Sequence, residues 1–134
     1  MSTTEAMSEI ERILTTGASA RDEGVADVLP HEVEDAEATL GFTFPASYRE
    51  FIALGGLAEL RFRHRALTPS AIVENQRYVD GDRLVVFADN GCGDFYCWGR
   101  SETGEPPVFF SDHETRACTP AAVSFTAWLA ANRF

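Results

Sequence analysis

The run Phe87-Ala88-Asp89-Asn90-Gly91-Cys92-Gly93-Asp94-Phe95-Tyr96-Cys97-Trp98 limits what this chain can fold into more than any other part of it. Asn-Gly and Gly-Asp supply positions that tolerate positive φ, which a tight reversal needs and most residues refuse. The flanks, Leu84 to Phe87 and Phe95 to Trp98, have the apolar, β-branched and aromatic composition of strands. The run therefore predicts an antiparallel hairpin around an acidic, glycine-rich turn. A second turn from Gly104 to Pro107 and the apolar Val108 to Phe110 predict a further strand.

Upstream the signals are helical. Ser2 and Glu5 have the spacing of a capping box, and Ala6, Ile10, Ile13 and Leu14 form a stripe that stops near Gly17. Polar Gly17 to Pro30 reads as a loop. A second helix is expected from Glu32 to Leu40, with Val33, Ala36 and Leu40 inward, Glu34, Asp35 and Glu37 outward, and Gly41 as its C-terminal cap. Phe42 to Pro45 reads as an extended link, because a residue before proline avoids the α region. Pro45 then opens a third helix to Leu54, anchored by Tyr48 and Phe51 and ended by Gly55-Gly56.

From Leu57 to Leu67 the pattern alternates: Leu60 and Phe62 on one face, Glu59, Arg61, Arg63 and Arg65 on the other, predicting a strand with a basic ridge. That ridge reads as a solvated sheet face, a guarded edge or a set of ion pairs ahead of any nucleic-acid contact. Thr68-Pro69 opens another helix to about Tyr78, Asp80-Gly81-Asp82 turns the chain, and Thr119-Pro120 is expected to open a last helix on Val123, Phe125, Trp128 and Leu129. The order predicts an α+β domain over residues 1–134: N-terminal helices, a central curved antiparallel sheet and a C-terminal helix. Neither βαβ alternation nor an internal repeat is visible.

The 134 residues suffice for one core without disulfides or metal. Cys92, Cys97 and Cys118 are odd in number and lack zinc spacing, so reduced thiols fit best. No apolar run reaches the roughly 18 residues of a membrane span, and Met1 to Met7 carries no signal pattern, so a soluble cytoplasmic protein is expected. Every basic side chain is arginine, which excludes Schiff-base lysine chemistry and the lysine of a phosphate loop.

The hairpin, together with Leu40-Gly41 to Pro45, Tyr48, Gly55-Gly56, Val108, Asp112-His113-Glu114 and Ser124-Phe125, resembles the SUKH superfamily of SMI/KNR-like proteins over about residues 28–130. Its founding member regulates cell-wall synthesis in yeast, and most bacterial members are immunity proteins that neutralise polymorphic or contact-dependent toxins. The resemblance marks Gly41, Pro45, Tyr48, Gly55, Gly56, Gly93 and Asp94 as family positions, read as structural. It implies a binding module that occludes a cognate toxin domain, with no catalytic, metal or cofactor site. A regulatory or scaffolding module is the second reading. A small metal-dependent or thiol hydrolase using Asp94, Asp112, His113 or a cysteine is the third.

Charge bears on the partner. The net charge of −10 argues against direct nucleic-acid binding, which needs a basic surface. It favours a cationic protein, which fits the nuclease toxins that the resemblance implies as partners, or simply keeps the molecule in solution. Eleven acids against Arg12, Arg21 and Arg49 fall in the first 50 residues. Asp22, Glu23, Asp27, Glu34, Asp35 and Glu37 are therefore the expected partner surface. Asp89, Asp94, Asp112, His113 and Glu114 are metal-ligand types, but Asp89 and Asp94 fit equally as turn carboxylates.

Overall fold

The computed structural model describes residues 8–15, 22, 24–25, 27–59, 62–100 and 105–133. Among the described residues, five α-helices and a four-stranded antiparallel sheet make an α+β fold, with helices before the sheet and one after it. The helices are α1 Glu9–Thr15, α2 Pro30–Leu40, α3 Ala46–Ala53, α4 Pro69–Asn75 and α5 Phe125–Asn132. The strands β1 Leu84–Asp89, β2 Phe95–Gly99, β3 Val108–Ser111 and β4 Cys118–Ala122 pair in chain order as a meander. Among the described residues no helix is long and apolar enough to cross a membrane.

Helix ends follow local chemistry. At α1 the Ser8 hydroxyl accepts the Glu11 N–H at 3.0 Å; the Ser2–Glu5 box lies outside the described residues. Helix α2 starts two residues earlier than expected, with Pro30 in its first turn and the Glu32 carboxylate reaching back to the Leu29 N–H at 3.0 Å. It ends at Gly41, whose φ of 60° is left-handed and so favours glycine. Gly55 plays the same part after α3 at φ 77°. The side chain of Glu105, before β3, accepts both the Ser47 N–H and the Ser47 hydroxyl, tying the start of α3 to the sheet.

Register decides which residues meet the helices. Val85, Trp98, Val108 and Ala122 lie in line across the four strands and face inward. A bulge at Phe87 turns both Phe87 and Ala88 to that side. Trp98 sits at the centre, in ring contact with Phe42, Phe44, Tyr48, Phe87 and Phe125. Burying each such side chain contributes about 2–3 kcal/mol, so this cluster is the main apolar term holding α3 and α5 on the sheet. Tyr48 donates its buried hydroxyl to the Leu67 carbonyl at 2.8 Å, and burial pushes its pKa up.

Two sequence expectations fail, both for non-local reasons. The described residues of 57–67 form isolated bridges and not a continuous strand: Gly56–Ala58 is a 3-10 turn, Glu59 is buried rather than solvated, and Phe62 bridges to Arg133 and Ala66 to Ala88. The edge of β1 that such a strand would need is occupied at Leu84 and Val86, and the segment reaches that edge only at its end, through Ala66 and Leu67. The Gln76 side chain donates to Leu84 O at 3.0 Å and accepts from Val86 N at 2.7 Å, and Leu67 N donates to Phe87 O. Thr119-Pro120 does not open the last helix either; it lies in β4, pairing with Phe110 and Phe109. Helix α5 starts after Ser124, whose hydroxyl accepts the Ala127 N–H, and Val123 is 81% exposed instead of buried.

Candidate functional site

The outer face of the sheet carries a broad concavity. Val86, Cys97, Phe109 and Pro120 lie in register on that face, and Leu84, Val86 and Cys97 form a small buried cluster there with Val79, Phe95 and Phe109 against it. Gly99 keeps the floor low. A Cβ at Gly99 would meet Phe109 Cε2 at 2.7 Å, so glycine lets the Phe109 ring lie across β2. The resulting groove, about 930 Å³, is walled by the segment from Arg77 to Arg83 on one side and by Arg116 and Cys118 on the other.

Its charge is opposite to that of the whole chain. Arg77, Arg83, Arg100 and Arg116 line it against one carboxylate, Asp80. Arg100 is committed to structure, donating to Gly81 O, Leu40 O and Gly41 O, and so ties the groove to the C-terminus of α2, where backbone carbonyls favour a cation. Arg83 is largely solvated and only 3.9 Å from Asp80. Arg77 lies over the Tyr78 ring, which is itself stacked on Phe95 at an interplanar angle of 10°. Sequence reasoning passed over these four because they come from separate segments with no shared period.

A polar clasp stands at an adjoining hollow, which shares Arg77, Tyr78, Ser111 and Arg116 with the groove. Asp94 accepts from Asn90 Nδ2 at 3.0 Å, from His113 N at 2.9 Å and from His113 Nδ1 at 2.6 Å. An ionised carboxylate only accepts, so Nδ1 carries the proton. These bonds hold the Asp94 carboxyl down to about 2, and the same ring hydrogen bond raises His113. Gly93, at φ 95°, makes room: a Cβ there would meet His113 Nδ1 at 3.3 Å. The clasp joins the β1–β2 turn to the loop 112–116, where Arg116 adopts φ 62° and its N–H reaches Asp112 O.

The same residues are the metal candidates, and the geometry shows how they are used. Ligand atoms of Asp94, Asp112 and His113 lie within 4.8 Å of one another. Asp94 is engaged as above, one oxygen of Asp112 accepts from Glu114 N and Thr115 N, and Asp89 accepts from Gly91 N. A cation would compete with these turn bonds. For the thiol alternative, burial pushes Cys97 up to about 12, and His113, held on Asp94 through Nδ1, has its Nε2 3.9 Å from Glu114 Oε1, with no hydrogen bond to Cys92, Cys97 or Cys118 among the described residues.

The acidic residues expected to meet a partner divide. Asp27, Glu34 and Asp35 are exposed. Asp22 stands 3.4 Å from Arg65, whose other nitrogen donates to Leu57 O. Glu37 is half-buried and accepts the Phe44 N–H at 2.7 Å, which orders the extended link before α3. Glu23 and Arg61 lie outside the described residues, and Arg63 is exposed with its N–H on Asn132 O.

Comparison with known proteins gives one match. Neither the curated proteins nor the solved structures returned one. Residues 28–131, from the last turn before α2 to the end of α5, match the SMI1 / KNR4 family (SUKH-1). The matched span contains the hairpin, the Asp94–His113 clasp and every groove arginine, and the chain belongs to the SMI1 / KNR4 family.

Proposed function

We propose that this protein is an immunity protein that binds a cognate bacterial toxin domain and blocks it by occlusion, with no chemistry of its own. Family membership over residues 28–131 carries the reading. The charge supports a basic partner such as a nuclease: at −10, with Asp27, Glu34 and Asp35 all exposed, the molecule attracts a cationic surface and speeds encounter. A standard complex buries about 600–1,000 Å² on each side, roughly a tenth of the 7773 Å² exposed here.

The test is co-expression of the toxin-like domain encoded beside this gene, with and without the protein, scoring survival. Survival only in its presence is the expected result. Killing that proceeds regardless removes the support for that pair.

A further inference from the structure

We propose that the outer-face groove docks an extended acidic segment of a protein partner, its carboxylates meeting Arg77, Arg83 and Arg116 and its apolar side chains the Leu84–Phe109 floor. The proposal rests on the reading of the chain as a protein-binding module but not on the identity of the toxin. Charge complementarity is the first argument. A chain of net charge −10 places four arginines and one aspartate around a single groove, and among the described residues no carboxylate pairs with Arg77 or Arg116. Arg83 is 84% exposed at its side chain, so its charge is available to a ligand.

The shape argues for an extended chain. Alternate side chains of a strand-like segment point to opposite sides, so one set reaches the apolar floor while backbone and carboxylates face the rims. Arginine suits this because its planar fork pairs with carboxylates through two parallel bonds. The adjoining hollow, lined by Arg77, Tyr78, Gly93, Phe95, His113 and Arg116, continues the cationic track towards the clasp.

One competing surface and one competing ligand are weaker. The edge of β4 is open to strand addition, but Pro120 removes a donor there and a bulge at Ala121 breaks the ladder, the devices by which edges are protected. Nucleic acid fits the groove poorly. Tyr78 already engages Phe95 and Arg77 through its ring, so a base would have to displace those contacts to stack, and the acidic remainder of the molecule repels a long polyanion. A short segment lying within the groove stays within about 8–10 Å of the arginines, where screening is incomplete.

The experiment is fluorescence anisotropy with the full chain and a short fluorescein-labelled peptide alternating glutamate and leucine, beside a glutamine–leucine peptide and an oligothymidylate. The acidic peptide is expected to bind best and to weaken as salt rises to about 0.3 M. Combined Arg77→Gln, Arg83→Gln and Arg116→Asn, the last chosen to tolerate the left-handed φ, is expected to weaken it by at least about five-fold. Should that variant unfold by circular dichroism, Arg83→Gln alone carries the test with an expected loss of about two-fold. Equal binding of the glutamine peptide, unchanged binding by the variants, or tighter binding of the oligonucleotide overturns the proposal. In the survival assay, a folded triple variant that still protects separates the two readings: immunity stands and the groove is not the docking site. Failure of the wild-type protein to protect, with peptide binding intact, does the reverse.

Discussion

Gln76 offers the sharpest test of how the groove wall is built. Its amide completes the edge of β1 as a neighbouring strand would, donating to Leu84 O and accepting from Val86 N. Gln76→Met keeps the length and removes both bonds, stranding two backbone groups of buried residues. A buried amide group left unsatisfied costs about 1–3 kcal/mol, and water can approach half-buried Gln76, so the pair should cost about 2–3 kcal/mol. With about 2.1 cal/mol/K of unfolding entropy per residue, 134 residues convert that into a fall in Tm of about 7–11 °C. Gln76→Glu keeps the acceptor for Val86 N but faces Leu84 O with a carboxylate oxygen, and is expected to fall at least as far. Differential scanning calorimetry at neutral pH reads both. A Gln76→Met protein melting within about 2 °C of wild type would refute the assignment of edge capping to this amide.

Other expectations test the clasp, the packing and the charge. His113 is raised by Asp94, so its contribution is complete below about pH 6.5 and is lost as pH rises through the raised value. Asp94, held down to about 2, contributes above the usual carboxylate range and loses that only as pH falls through about 2. Thermal melts from pH 6 to 8.5 should therefore show wild-type stability declining relative to His113→Gln; parallel curves would count against the clasp. Gly56→Ala puts a Cβ 2.3 Å from the Phe51 ring and is expected to cost about 1–3 kcal/mol in a denaturant titration, while a loss under about 0.5 kcal/mol would mean the ring moves freely. Changing Asp27, Glu34 and Asp35 together to amides should slow association with a basic toxin and flatten its salt dependence, and an unchanged stopped-flow rate would place the contact elsewhere.

What the sequence revealed was local chemistry, and what it hid was assembly. The hairpin was readable because its turn is written in its own residues: Asn90 Oδ1 accepts Cys92 N and Asp94 N, and Gly91 and Gly93 take positive φ. Gly41 and Ser124 act through their immediate neighbours in the same way, although the Ser124 cap was passed over in favour of Thr119-Pro120. The described part of 57–67 departs from a continuous strand because alternation says a strand is possible but not whether a sheet edge is vacant, and Gln76 fills that edge at Leu84 and Val86. The groove was hidden for the same reason, since Arg77, Arg83, Arg100 and Arg116 converge only once four strands are in register. Arg100 then links the two charged regions. It anchors the groove to the last carbonyls of α2, the helix that carries Glu34 and Asp35. A partner surface spanning both regions would thus need basic residues towards α2 and acidic ones towards the sheet, a pairing more selective than attraction to net charge alone, because like charges brought together in the reversed orientation repel.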